Sequence, residues 1–376
     1  MRSGLYVHVP FCARACPYCD FDFEVGREPA VDRYFKGLEM ELRQREAIGA
    51  RSYDTVYVGG GTPSLLGEVG LRRLFSWIER SFPGSGGHET TVELNPEHVT
   101  AGLLDLLIGV GIDRISLGVQ TLDAEGLVQL GRVHSAEQAT LAIVQARRRG
   151  LRVSADLIVG WPGQSAASLH LDVERLVAAG VGHVSVYALT IERATPWPKL
   201  VRRGLRVLPD VDAQAEMLEL SERALVRAGL RHYEVASYAV LGEEARHNLL
   251  YWTWSEYVGI GPSAASARFS AEGGVVRRSN ARGIDLWSAG AVPSIERLDP
   301  EQAAREGLWV GLRVLDGIDV VDFLRAFPAV DRGWIERRIK RPLELGNIEW
   351  IDRGRGLRVC PGRWLWHDSV GSAILG

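Results

Sequence analysis

Apolar residues in the first two thirds of the chain come in short runs, separated by longer stretches where they recur every three or four places. Six runs read as strands: residues 5–9, 55–58, 91–94, 114–119, 153–159 and 183–189. Between them, Phe35, Leu38 and Leu42 within residues 32–48, then Leu71, Leu74, Phe75 and Ile78, then residues 136–149, keep helical spacing. Strand and helix in alternation predict parallel strands joined by crossover helices. Arg147, Arg148 and Arg149 before Gly150 mark a helix end, where positive side chains meet the carbonyl end of the dipole and glycine stops the turn.

Polar and glycine residues gather at one end of each run. A cysteine loop follows the first, GGGTPS the second and ELNP the third; LGVQ closes the fourth, and DLIVGWPGQ and YALTIE span the fifth and sixth. Parallel barrels bind ligands at the carboxyl ends of their strands, so six decorated ends imply one shared mouth. Six units fall short of the eight that close a barrel. The predicted class is therefore α/β, an open, three-quarter TIM-type (β/α)6 barrel over residues 1–240, with a flat doubly wound sheet as the competing layout. Residues 241–376 read as a second unit, with a helix over 301–314 and a hairpin around Asp352-Arg353-Gly354.

A length of 376 residues is consistent with two units. A net charge of −3 with 46% hydrophobic residues points away from nucleic acid and from disorder. No apolar run reaches the roughly 18 residues of a spanning helix, and Met1-Arg2-Ser3-Gly4 leads straight into a strand, so a soluble cytoplasmic protein is expected.

Cys12, Cys16 and Cys19 form C-x3-C-x2-C after the first strand. Zinc would want a fourth close ligand, for which only His8 is near. A disulfide framework is excluded by the odd number and the large chain. An iron-sulfur cluster on three thiolates leaves one iron open to a small molecule, and this reading suits the pattern best. Cys360, alone far downstream, reads as structural or surface, with a fourth-ligand role as the lesser alternative.

Gly59-Gly60-Gly61-Thr62-Pro63-Ser64 lacks the lysine of a phosphate-binding loop, but its glycines let a ligand approach the backbone. Glu93 sits among apolar neighbours and Asp156 is the one charged residue in residues 153–159; each needs a partner. Gln120 closes the fourth strand, and Arg132 in LGRVHS can grip a carboxylate through two parallel bonds.

The cysteine spacing with Tyr18 before the last cysteine resembles the radical S-adenosylmethionine superfamily. Together YVHVPFC, CPYC, GGGTPS, ELNP, RISLGVQ, LGRVH, DLIVGWPGQ and LTIE resemble a narrower group, the oxygen-independent coproporphyrinogen oxidases and their haem-chaperone relatives. The resemblance implies a 4Fe-4S cluster on Cys12, Cys16 and Cys19 with Tyr18 beside it. It implies that S-adenosylmethionine is contacted by Tyr6, Gly60, Gly61, Thr62, Glu93, Gln120, Arg132 and Asp156. Trp161 stands where that group usually has leucine.

The oxidases have another cysteine two positions after the third; here Phe21 stands there, and CDF resembles the chaperone branch. The oxidases also carry an N-terminal segment, whereas this chain starts four residues before its first strand. Both features point away from decarboxylation. RHNLLYW matches H-N-x-x-Y-W of the chaperone branch and makes His247 the expected haem-iron ligand, with Tyr251 and Trp252 packing on the porphyrin. YVGIGPSAAS resembles a turn near the adenine, and the C-terminal part resembles the small, mainly helical, winged domain of the same families. The implied function is haem binding and transfer to an acceptor protein, one that can be membrane-associated, with an external electron donor. The alternative is a radical enzyme that decarboxylates coproporphyrinogen or opens a haem ring.

Overall fold

The computed structural model describes residues 2–26, 30–45, 48, 51–270 and 272–376. In chain order the main elements are β1 (Ser3–Val9), α1 (Val31–Gln44), β2 (Thr55–Gly60), α2 (Gly67–Ser81), β3 (Glu89–Leu94), α3 (Ala101–Gly109), β4 (Arg114–Gln120), α4 (Ala124–Gln129), α5 (Ala136–Arg148), β5 (Arg152–Val159), α6 (Ala166–Ala178) and β6 (His183–Ala188). They continue with α7 (Trp197–Arg202), α8 (Val211–Arg227), β7 (Arg231–Glu234), β8 (Ser237–Ala239), α9 (Arg246–Trp252), β9 (Glu256–Ile260), β10 (Ala265–Phe269), β11 (Val275–Ser279), α10 (Ile284–Ser288), β12 (Ser294–Leu298) and α11 (Pro300–Gly311).

All six expected strands form and pair in parallel, β1-β2-β3-β4-β5-β6. The sheet is wider than the sequence suggested. It is open, with twelve strands in the order β12-β11-β10-β9-β1-β2-β3-β4-β5-β6-β8-β7. Strand β9 runs parallel to β1, with Ser3 opposite Glu256, and the remaining additions are antiparallel. YVGIGPSAAS is thus the end of β9, the turn and the start of β10.

The parallel strands are two-faced. Leu5, Val7 and Val9 on β1, Val56 and Val58 on β2, and Ile115, Leu117 and Val119 on β4 lie in one large core with the apolar stripes of α1, α2, α3, α5, α6 and α8. The alternate positions carry Tyr6 and His8, Thr55 and Tyr57, Glu89, Thr91 and Glu93, Arg114 and Ser116, Ser154 and Asp156, and His183 and Ser185. Register aligns them in rows, with Tyr6 opposite Tyr57, Tyr57 opposite Thr91, and Glu93 opposite Ser116. Side chains alternate across a strand, so this second face is a polar wall.

Helix starts follow local chemistry. Ser135 and Gln138 form a capping box on α5, as do Asp299 and Gln302 on α11. Helix α1 ends at Gln44, short of the expected residue 48; positions 46 and 47 lie outside the described residues. The C-terminal part has its own core around Phe323, Ile335 and Leu357. It holds the helices Val320–Ala326, Arg332–Glu344 and His367–Leu375 and a three-stranded sheet in which Ile348–Ile351 pairs with Gly356–Val359, the expected hairpin.

One buried carboxylate ties α1 to the far edge of the sheet. Glu41, 2% exposed, accepts from Arg45 Nη1 (2.7 Å) and Asn280 Nδ2 (2.8 Å) at Oε1, and from Gly261 N (3.0 Å) and Trp287 Nε1 (2.9 Å) at Oε2. Charge so far from water is tolerated because both oxygens are filled. Glu41→Ala leaves four donors without their acceptor, and urea denaturation is expected to show about 3–5 kcal/mol of lost stability.

Candidate functional site

Two chambers open off the polar wall. The first, about 530 Å³, is lined by Cys12, Cys16, Cys19, Tyr18, Gly60, Gly61, Thr62, Glu93, Gln120, Arg132 and Asp156. It gathers every expected cluster and cofactor residue except Tyr6. The second, about 830 Å³, contains Tyr6 and an aromatic group that includes Tyr251, Trp252, Trp254, Tyr257 and Phe327. Asp20, Phe21, Gly60 and Glu93 line both.

The cysteine loop is clasped to the glycine turn. Gly61 N donates to Val9 O (2.8 Å) and Thr62 N to Phe11 O (2.6 Å). A Cβ on Gly61 would stand 2.5 Å from Phe11 O, and one on Gly60, at φ 115°, would stand 2.6 Å from His8 Cε1. Only glycine permits this approach.

Cys12 Sγ lies 3.8 Å from Thr62 Oγ1, and Arg132 Nη1 donates to Cys16 Sγ at 3.6 Å. Burial pushes the Cys12 thiol up to about 11 and raises Cys19. Such thiols stay protonated until a metal displaces the proton. Among the described residues, no three His, Cys, Asp or Glu side chains are already drawn together as a metal site. The donor set nevertheless suits an iron-sulfur cluster, with three soft sulfur donors on one loop and a guanidinium beside one of them to offset thiolate charge.

Beneath the loop, Tyr18 packs on a small core of Leu130, Ile158, Trp161, Leu189 and Trp197, and Trp197 N donates to Pro17 O at 3.0 Å. Trp161 therefore props up the cysteine loop. Its ring leaves room for no side chain at Gly126, where a Cβ would lie 2.7 Å away.

Glu93 accepts from Tyr57 OH (2.7 Å) and Gly60 N (2.9 Å), and burial, only partly offset by these bonds, raises it to about 7. Burial likewise raises Asp156 to about 6, against the pull of Arg114, Ser185 and Ser116. Arg132 Nη2 donates to Asn95 Oδ1 (2.6 Å) and Gly118 O (2.9 Å), while its Nε is buried without a partner. Gln120 has φ 66°, and Trp254 and Ser263 in the second chamber have φ 55° and 57°. Left-handed backbone at non-glycine residues costs energy and concentrates where ligands bind.

His247 lies elsewhere. It is 1% exposed and sits near the amino ends of the strands, with Nδ1 2.7 Å from Thr55 Oγ1 and Nε2 2.8 Å from Tyr251 OH. It lines neither chamber, and both ring nitrogens are engaged. Burial lowers it to about 4, so the ring is neutral. Glu89, fully buried, accepts from His247 N (2.9 Å) and Arg246 N (3.0 Å) and anchors the start of α9 to the wall. Cys360 is half-buried and lines neither chamber.

The sequence reading missed Tyr57, Asn95 and Glu89, and weighed His8 only as a zinc ligand. Period-two alternation of polar residues within the apolar strands was the signal for Tyr57, His8 and Glu89. Asn95 stood inside the ELNP motif already singled out.

Residues 6–186 match the family described as Radical SAM superfamily. Over 356 residues, 93% of each chain, this one is 32% identical to "Heme chaperone HemW" of Bacillus subtilis. It is 35% identical over 282 residues, 74% of each chain, to the protein of that name from Escherichia coli. To that from Mycobacterium tuberculosis it is 40% identical over 266 residues, 69% of this chain and 68% of the other. The solved structure of coproporphyrinogen III oxidase (HemN) from Escherichia coli, described as a radical SAM enzyme, superposes with a TM-score of 0.82 at 20% identity, covering 99% of this chain and 90% of that one; the two share a fold.

The raised carboxylates bear on stability. In the native state Asp156 holds its proton up to about pH 6, whereas an unfolded aspartate releases it near pH 4. The stabilising contribution of the neutral form is complete below about pH 4 and lost as pH rises through about 6. Asp156→Asn is therefore expected to be about 1–2 kcal/mol more stable than the wild type at pH 8 and equal to it at pH 4, measured by urea denaturation at both values.

Proposed function

Because the chain belongs to the HemW family of the radical SAM superfamily, we propose that it binds a 4Fe-4S cluster, S-adenosylmethionine and one haem, and passes the haem to an acceptor protein. The observation that carries this reading is the pair of chambers, one sulfur-lined and one aromatic, that share Gly60 and Glu93.

Cys12, Cys16 and Cys19 hold the cluster, with Tyr18 beside it. When bound, the cluster supplies an open iron corner and an electron for cleaving a carbon–sulfur bond of S-adenosylmethionine. The residues around it bind and orient. Arg132, fixed by Asn95 and Gly118 O, offers its guanidinium to a carboxylate. Glu93 and Asp156 favour a cationic ligand once ionised, and Gly60, Gly61 and Thr62 bring backbone and hydroxyl groups close. Gln120 closes the same wall, and Tyr6 stands at its border with the aromatic chamber.

On this reading the six parallel strands make a partial barrel up to about residue 240. Residues 241–376 supply the sheet's outer strands on the β1 side and an auxiliary winged domain. The protein works in the cytoplasm with an external electron donor. No helix among the described residues is long and apolar enough to cross a membrane. Phe21, in the position of the oxidases' further cysteine, favours haem handling over coproporphyrinogen decarboxylation.

Anaerobic reconstitution decides between the readings on a single sample. Haem binding without conversion of coproporphyrinogen is expected; turnover to protoporphyrinogen would overturn the chaperone assignment. Replacing any one of Cys12, Cys16 or Cys19 by alanine is expected to abolish the brown iron-sulfur absorbance.

Cofactor binding should also follow Glu93. A cationic ligand prefers the ionised carboxylate, so affinity for S-adenosylmethionine is expected to fall as pH drops from 8 through about 7. Calorimetric titration across that range should show a flatter profile for Glu93→Gln.

A further inference from the structure

The aromatic chamber is walled by Tyr251 and not by His247, although both stand on α9 one turn apart. Tyr251 is fixed from two sides. Its ring meets Tyr257 edge-on at 4.7 Å and 88° and His247 at 5.2 Å and 88°. Its oxygen lies 2.8 Å from His247 Nε2, and the histidine is in turn held at Nδ1 by Thr55 Oγ1, 2.7 Å away. Glu89 fixes the histidine's backbone, and the Tyr57 ring packs 5.2 Å from the imidazole. An imidazole locked between a threonine and a tyrosine cannot enter the chamber without breaking both contacts.

Resting on the haem reading above, we infer that Tyr251 is the side chain that ligates ferric haem iron, with His247 as a positioning residue behind it. Tyrosinate is an established type of haem ligand, and a ring nitrogen aimed at the bound oxygen orients it and tunes its basicity. In the tautomer with hydrogen on Nε2, His247 donates to the Tyr251 oxygen while the Thr55 hydroxyl donates to Nδ1. The phenolic hydrogen is then not committed to His247, and Tyr251 is among the residues that line the chamber. Ligation is a substitution: hydroxide on ferric iron takes the phenolic proton and departs as water, the Fe–OH bond breaks, the Fe–O bond to Tyr251 forms, and iron stays ferric. A chamber of about 830 Å³ is in the range that holds one ligand of tetrapyrrole size. The tyrosine and histidine of the H-N-x-x-Y-W stretch then act as ligand and support.

Titration of the full chain with ferric protoporphyrin IX, followed by absorbance and resonance Raman scattering, tests this. The wild type is expected to show a phenolate-to-iron charge-transfer band and tyrosinate modes. Tyr251→Phe, which removes one oxygen and keeps the ring, should lose both features. His247→Ala should retain both with a shifted band and about 10–100-fold weaker binding. Tyr251→His should restore ligation with an imidazole-type spectrum. Circular dichroism reports whether each variant is folded.

An imidazole-type spectrum in the wild type that survives in Tyr251→Phe and disappears in His247→Ala would overturn the inference and leave haem binding intact. Absence of any haem complex with the wild type would instead overturn the underlying reading.

Discussion

The structure depends on keeping a buried wall of polar side chains satisfied. Each parallel strand gives its apolar face to the helices and its other face to tyrosine, threonine, serine, histidine and carboxylate groups that see little water. An unpaired polar group at such depth is costly, so the wall must bond to itself or to whatever covers it. Near the amino ends of the strands much of the bonding is internal: Ser154 and Tyr233 take both nitrogens of His183, and Glu89 and Thr55 hold α9, while atoms of Thr91, Arg114 and Arg152 stay unpartnered. Toward the carboxyl ends it is left unfinished, with an orphaned Arg132 Nε and two carboxylates kept partly protonated. What sets the carboxyl ends apart is the pair of raised carboxylates, Glu93 and Asp156, beside the thiols.

The two chambers follow from the same wall. Gly60 and Glu93 stand between a compartment of thiols and a compartment of aromatic rings, so a ligand in either one borders the other across a single residue's thickness. Strained backbone at Gln120 faces the first, and at Trp254 and Ser263 the second. Holding left-handed residues in place requires the surrounding packing to over-determine them. The Glu41 knot, which fixes Gly261 and Asn280 beside the second chamber, is the kind of contact that does so.

Much of this was legible in the residues. Apolar runs located all six central strands, and the unusual residues at their ends located the sulfur-lined chamber, because a strand's carboxyl end and its decoration are adjacent in sequence. What escaped was set by contacts between distant parts of the chain. Strands β7 to β12 span three to five residues each and carry no long apolar run. Strand β9 is a strand because β1, near the other end of the chain, offers it an edge. His247 drew attention as a ligand through its motif, and only the three-dimensional neighbourhood shows Thr55 and Tyr251 on either side of it. Glu41 left a faint mark: it falls on the same buried stripe of α1 as Tyr34 and Leu38, where a charge is out of place.

The two backbone bonds between the cysteine strand and the glycine turn carry a further implication. Val9 O and Phe11 O receive Gly61 N and Thr62 N, so the sulfur-bearing segment and the cradle beside it are tied backbone to backbone. Drawing the thiols inward around a metal would drag the cradle with them. On the proposed reading, the inorganic centre would then be assembled before the organic cofactor meets a fully shaped seat.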